Sequence, residues 1–371
     1  MVNPESAARA DGGLTRRSVL LGAAAAVLPL AGGAAEAALA QPATAPPAGR
    51  PWKIAFEEHF ITPTADLMPT GLDATTMPAV YHGLLEVGEG RIALMDQAGI
   101  AYAILSLNSP GLQAETDGAI SADKARRINA ELKAITAHHP ARLGGFAALP
   151  TQDPRASADE LERCVREYGF HGALINSFAN APGSQAVYLD DPRYDVLWER
   201  AVALGVPIYL HPRNPLPSQS LMFDGRPELI GAMWGFLVEC STHALRMICG
   251  GVFDRFPTLT IGLGHLGEAL PAYAWRVSAV YATRPSKTAL QHDIPTYLRR
   301  NFVYTTSGFF DTAAVRNVIG VVGIDRICFS TDHPWMNMVD GSRWFDRATF
   351  TPAEKLQIGR GNAAKLFNLP A

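Results

Sequence analysis

Residues 53–63 read KIAFEEHFITP. The stretch begins as an apolar β-type run and ends in two carboxylates and an imidazole. Alternate side chains of a strand share a face. Ala55, Glu57 and His59 are therefore expected on one side, and Ile54, Phe56 and Glu58 on the other. Seven further short apolar runs follow: AYAILSLN (101–108), LGGFAALP (143–150), HGALINS (171–177), PIYLHPR (207–213), LTIGLGH (259–265), FVYTTSG (302–308) and RICFSTD (326–332). Longer amphipathic segments separate them, among them SADKARRINAELKAITAHH, ASADELERCVREYG and PRYDVLWERAVALG. Several close on Gly or His-Pro, and two open on Ser or Asp at an N-cap position. Strands alternating with helices imply a parallel sheet, and eight is the number that closes a (β/α)8 barrel. The other arrangement, an open doubly wound sheet, lacks support because no GxGxxG follows the first strand. The expected fold is thus α/β, a (β/α)8 TIM barrel. Its insertions at 60–88, 178–192 and 213–228 all follow strand C-terminal ends, where barrel enzymes build their sites.

Composition fits one such barrel. The chain has 371 residues, 48% hydrophobic and 18% charged, which is ordinary for a globular protein. Its net charge is −3, with no basic run beyond Arg16-Arg17 and Arg299-Arg300, so no nucleic-acid partner is expected. LTRRSVLLG precedes an Ala-rich apolar run to about Leu30, and Ala38-Leu39-Ala40 has the small residues of a cleavage site. The pattern fits a twin-arginine export signal over 1–40, followed by a flexible linker over 41–51 and a catalytic barrel over 52–371. The expected location is periplasmic or exported. The apolar run is short for a membrane span, so no stable membrane association is expected after processing. Cys164, Cys240, Cys249 and Cys328 show no CxxC spacing and sit in apolar patterns, which favours buried free thiols over disulfides.

The strand ends carry the chemistry. The first strand delivers Glu57 and His59, the fifth His211, the sixth His265 and the eighth Asp332. Singly, His59 or His211 reads as a satisfied buried histidine, Glu57 as a surface carboxylate and Asp332 as the N-cap of the next turn. Together at one rim, carboxylate oxygens and the lone pairs of neutral imidazoles repel one another unless a cation sits among them. Glu57, His59, His211 and Asp332 are therefore the expected ligands of one divalent metal, Zn²⁺ or Mn²⁺, with a position left open. Glu268 lies three residues beyond His265. It is close enough to orient that imidazole for proton transfer, although a capping arrangement also fits. His138 and His139 end a helix, and His82, His171, His243 and His292 have no evident partner.

Several stretches resemble the amidohydrolase-related, ACMSD-like metal-dependent decarboxylases, nearest to those acting on γ-resorcylate and 2,3-dihydroxybenzoate. They are EEHF, YLDDPRYDVLWERAVALGVPIYLHPRNPLP, LTIGLGHLGEALPAYAWR, NFVYTTSG and GIDRICFSTDHPW. The resemblance spans nearly all of 52–369. It implies a distorted barrel with one divalent metal held by Glu57, His59, His211 and Asp332, and a catalytic dyad of His265 and Glu268. It also places Arg276 near the substrate's polar groups. The fourth strand offers Asn176 rather than the lysine of binuclear relatives, which favours a single ion. After Asp332 this chain departs from the family, with His333-Pro334-Trp335-Met336 in place of an aromatic, Pro, Phe and Glu. His333 and Trp335 are accordingly candidates for the far wall of the substrate pocket.

The function implied is reversible, non-oxidative decarboxylation of a hydroxylated aromatic acid, with Asp332 as proton donor. The partners expected are a small aromatic carboxylate and further copies of the chain, as dimer or tetramer. Two other functions fit the same ligands: a metal-dependent hydrolase or hydratase of a small carboxylated ring compound, and an exported metal-retaining binding protein. Pairing of His265 with Glu268 argues against the last, because binding alone needs no proton relay.

Overall fold

Eight strands run parallel around one axis: β1 (Lys53–Phe60), β2 (Ile100–Leu107), β3 in two pieces (Leu143–Gly145 and Ala147–Ala148), β4 (Ala173–Asn176), β5 (Ile208–His211), β6 (Ile261–Leu263), β7 (Phe302–Thr305) and β8 (Ile327–Cys328). Each pairs with the next. The ring closes from the end of β8 to β1 through a parallel bridge between Glu58 and His333. There the His59 N–H donates to the His333 carbonyl at 2.8 Å, and the Asp332 N–H to the Glu57 carbonyl at 3.0 Å. The chain is a (β/α)8 barrel, as its sequence leads one to expect. This computed structural model describes Gly49 and residues 51–370, apart from 64, 65, 67, 70 and 285–287. The expected export signal and most of the expected linker lie outside the described residues.

The strands are buried on both faces, which is why they read as near-continuous apolar runs. Ile54, Phe56, Ile104, Phe146, Leu174, Tyr209 and Cys328 fill the lumen, joined by Ala363 and Phe367 of the last helix, Asn362–Phe367. Ala55, Ala103, Leu105, Ile208, Leu210, Ile261 and Leu263 pack outward with the helices. Strict alternation would therefore send Glu57 outward with Ala55. It does not, because β1 bulges: Ala55 pairs with Ala103 but Glu58 pairs with Leu105, three residues of β1 spanning two of β2. The bulge turns both Phe56 and Glu57 to the lumen, which corrects the expected grouping of Ala55 with Glu57 and His59.

Two helices open on Asp caps, each a few residues before the segment read from sequence. The helix containing Ser121 begins at Gly118, where Asp117 Oδ1 accepts the Ala119 and Ile120 N–H groups at 2.8 and 3.0 Å. The helix containing Ser157 begins at Pro154 behind Asp153. A carboxylate at the positive end of the helix dipole outcompetes the later serine. The insertion after β1 carries the helix Pro78–Leu85, whose Leu84 packs with Ile61 and Leu72. The one after β4 forms a hairpin, Ala179–Ala181 with Gln185–Val187. The one after β5 holds short 3-10 turns at Pro217–Gln219 and Leu221–Phe223. All four cysteines are free thiols, with Cys164, Cys240 and Cys328 buried. Among the described residues, no helix is long and apolar enough to cross a membrane.

Candidate active site

The barrel brings Glu57, His59, His211 and Asp332 together. One ligand atom from each lies within 4.8 Å of the others, and all four residues are buried. Glu57 divides its two oxygens. Oε2 accepts from the hydroxyls of Tyr209, Ser307 and Thr305, the last at 2.7 Å. Oε1 has no hydrogen-bond partner and lies 3.8 Å from His211 Nε2. His59 Nδ1 bonds Ser106 Oγ at 3.2 Å, which leaves Nε2 turned to Asp332 Oδ1 at 3.2 Å without a hydrogen bond. The His211 ring meets that of His59 edge-on, centroids 4.7 Å apart, and its Nδ1 is also unpartnered. Burial, reinforced by His59 and opposed by Asp332, holds the His211 imidazole well below its usual pKa and therefore neutral.

Buried polar atoms without partners are costly, about 1–3 kcal/mol each. Glu57 Oε1 and His59 Nε2 are two such atoms of this cluster, and His211 Nε2 faces the first of them at 3.8 Å. A neutral imidazole and a carboxylate oxygen are donors that Zn²⁺ or Mn²⁺ accepts. The residues present fit one divalent cation, and the hydroxyls on Glu57 and Ser106 on His59 supply the outer contacts that fix ligand orientation.

Asp332 links this cluster to a second pair. Its Oδ2 lies 3.4 Å from His265 Nε2, while His265 Nδ1 and Glu268 Oε1 are 2.8 Å apart. His265 thus has Glu268 behind it and Asp332 in front. Burial alone would favour its neutral ring. The charges of Glu268 and Glu57 and the hydrogen bond to Asp332 outweigh burial and raise its pKa well above the ordinary histidine value. Burial likewise acts to raise the Asp332 carboxyl, but His265 and His59 win and hold it low. The backbone here is strained. His265, Leu266 and Glu268 have φ of 49°, 57° and 56°, and Asp332 has 65°, all in the left-handed region that L side chains avoid.

Gly264 shows how tightly the ring is built. A Cβ there would meet Glu57 Oε1 at 2.4 Å and Oε2 at 2.8 Å, although its φ of −71° suits any residue. Glu57 cannot swing aside, since three hydroxyls hold it. Such overpacking costs roughly 1–3 kcal/mol. Gly264→Ala is therefore expected to weaken metal binding in equilibrium dialysis. Unchanged metal content with unchanged Tm would show that the loop yields instead.

The remaining candidates stand further off. His333 is half-buried beside Gly83, and burial, with Arg91 and His59, lowers its pKa to about 3. Trp335 is 37% exposed and donates its indole N–H to Asn108 Oδ1 at 2.7 Å, bridging the ends of β8 and β2. Arg276 is exposed on the helix Leu270–Tyr281, and among the described residues no hydrogen bond or ion pair joins it to the cluster. Two histidines without expected partners have them: His243 bonds Ser177 Oγ and the Leu189 N–H, and His171 bonds Tyr102.

Sequence reasoning missed the hydroxyl shell. Yet Tyr209 precedes His211 by two residues, and Thr305 and Ser307 are likewise alternate positions, so strand alternation carried the signal. It also missed Glu58, wholly buried beside Thr331, its carboxyl pushed up to about 7 by burial against the donors of Thr331 and the charge of Arg91.

Comparison with known proteins places this geometry. The sequence profile of the amidohydrolases matches residues 88–369. The chain belongs to the amidohydrolase family. It is similar to the γ-resorcylate decarboxylase of Polaromonas sp., 44% identical over 322 residues, which span 85% of this chain and 98% of that protein. A crystal structure of 2,6-dihydroxybenzoate decarboxylase complexed with 2,6-dihydroxybenzoate matches at a TM-score of 0.82 and 42% identity, over 85% of this chain and 98% of that one. A dihydroxybenzoic acid decarboxylase of Polaromonas sp., solved with bound manganese and the inhibitor 2-nitroresorcinol, matches at 0.80 and 42%, over 85% and 96%. In this amidohydrolase β4 ends in Asn176, whose Nδ2 donates to the Leu107 carbonyl at 3.3 Å. No lysine enters from that strand, and the donor set is that of a single cation.

Proposed function

We propose that this amidohydrolase is a reversible, non-oxidative decarboxylase of a hydroxylated aromatic acid of the dihydroxybenzoate type. The observation that carries the proposal is Asp332, whose two oxygens face the cation cluster on one side and His265 on the other. That arrangement suits a group that both binds at the rim and passes a proton. The relatives' substrate and the manganese found in one of them support the same conclusion.

When bound, the cation would supply charge neutralisation for the substrate's carboxylate and a neighbouring phenolic oxygen. Glu57, His59, His211 and Asp332 would hold it. The ring carbon bearing the carboxyl must gain a proton before the C–C bond breaks, because an aryl carbanion is too costly a leaving species. Asp332 donates that proton. Since its carboxyl is held low, it first takes one from the phenolic substrate. The His265 ring, kept in one orientation by Glu268, donates to the phenolic oxygen and stabilises the charge that gathers there. The electron pair of the C–C bond then restores the aromatic ring as CO₂ departs. High bicarbonate drives the reverse carboxylation.

The far wall of the pocket is assigned to His333 and Trp335, and contact with polar substituents to Arg276. Arg276 lies on an exposed helix face beside Tyr273 and Trp275, 59% and 77% exposed. An apolar face of that kind fits burial against another copy of the chain, as a dimer or tetramer. Purified protein loaded with Mn²⁺ or Zn²⁺, sized in solution and given a panel of hydroxybenzoates, is expected to run as an oligomer and to release CO₂. Product formed by addition of water, with no CO₂, would make it a hydrolase or hydratase instead. Binding without conversion across the panel would make it a binding protein.

A further inference from the structure

Glu58 sits between two metal-cluster ligands in the chain, yet its carboxylate is turned away from them and is wholly buried. It reaches across the seam where β8 closes on β1. Its Oε1 accepts the Thr331 N–H at 2.9 Å, the Thr331 hydroxyl lies 2.9 Å from each carboxylate oxygen, and Oε2 accepts the His333 N–H at 3.3 Å. Thr331 and His333 flank Asp332. The Asp332 N–H is itself tied to the Glu57 carbonyl, and the His333 carbonyl to the His59 N–H. Every residue of the turn 331–333 is therefore anchored to β1, and Glu58 is the side chain in that set of anchors.

A buried arginine steadies the β1 side of this seam. Arg91 is 1% exposed, and its Nη2 donates to the carbonyls of His59 at 3.1 Å and Gly83 at 2.8 Å. It thus ties the end of β1 to the helix after it. The turn needs this restraint, because Asp332 has φ of 65°, a conformation that a non-glycine residue holds only where its surroundings impose it. Without Glu58 the buried Thr331 N–H and the part-buried His333 N–H would lose their acceptor.

We infer that Glu58 is a positioning residue, acting through Thr331 and the His333 N–H to hold Asp332 in the conformation that serves the cation and the substrate proton. The inference rests on the assignment of Glu57, His59, His211 and Asp332 as ligands. It differs from a mere contribution to stability, because the clamp acts on one ligand's backbone rather than on the barrel as a whole. Outer contacts to metal ligands are typically worth 10–100-fold in metal affinity.

The test is a Mn²⁺ titration of the full chain, followed by the EPR signal of free Mn²⁺, for wild type and Glu58→Gln. The amide keeps the volume but presents N–H where the His333 N–H needs an acceptor. Glu58→Gln is expected to weaken Mn²⁺ binding about 10–100-fold and to lower kcat at saturating Mn²⁺ more than it alters KM. Should Glu58→Gln fail to fold, Thr331→Val removes one donor and Thr331→Ser restores it. Weakened Mn²⁺ binding in the valine variant, recovered in the serine variant, carries the same conclusion. Wild-type Mn²⁺ affinity in Glu58→Gln, or in Thr331→Val where the first does not fold, overturns the inference and leaves the ligand assignment standing. Wild-type protein that binds no Mn²⁺ overturns the ligand assignment and the inference with it.

Discussion

Protein carrying Glu57→Ala or His211→Ala is expected to purify without metal and to be inactive on any substrate the wild type converts. The two residues stand on opposite sides of the lumen, on β1 and β5, and share no sequence neighbourhood. What they share is a facing pair of buried atoms: Glu57 Oε1, which has no hydrogen-bond partner, lies 3.8 Å from His211 Nε2. If a cation joins them, removing either weakens its binding by at least about 100-fold, since changes to groups one step further out already cost roughly 10–100-fold. Glu57→Gln separates charge from shape. Its carbonyl oxygen still accepts from Tyr209, Thr305 and Ser307, so the lumen stays packed. Its outward atom becomes an N–H facing His211, and metal content should fall almost as far as with alanine. Elemental analysis after dialysis reads all three variants. Wild-type metal content in both alanine variants would remove the assignment.

The four residues of the cluster were legible because a parallel barrel has a simple grammar: the last inward residue of each strand reaches one rim. His211 closes β5, and Asp332 follows β8 by a short loop. Glu57 was placed correctly on weaker grounds. Alternation grouped it with Ala55, which in fact packs among the helices, and only the bulge between Ala55 and Glu58 returns Glu57 to the lumen. No residue type in KIAFEEH marks a bulge in advance. Glu58 was illegible for a different reason. Its partner Thr331 lies 273 residues away, and the pairing exists only because the barrel closes there. The helices start a few residues ahead of the segments read from sequence, with Asp117 and Asp153 as their caps. Sequence periodicity thus places residues on the rim, while the contacts that hold them at working geometry are tertiary.

The His265 variant separates binding from chemistry, and its effect should be as large as loss of a ligand while leaving the metal in place. His265 Nε2 lies 4.0 Å from Glu57 Oε1 and 3.4 Å from Asp332 Oδ2, beside the ligand ring but outside the set of donors that converge. His265→Ala is therefore expected to retain wild-type metal content and to lose turnover by about 10²–10⁴-fold, the usual worth of a positioned proton donor. Glu268→Gln should act through the same ring with a sign that can be worked out. Glu268 is the leading influence that raises the His265 pKa against burial. Neutralising it lowers that pKa. A ring that works in its protonated form then loses its proton at lower pH, so the alkaline limb of the kcat profile moves down in the glutamine variant. The acid limb should stay in place if it belongs to another group. An unshifted alkaline limb, with metal content unchanged, would mean that His265 is not the group titrating there.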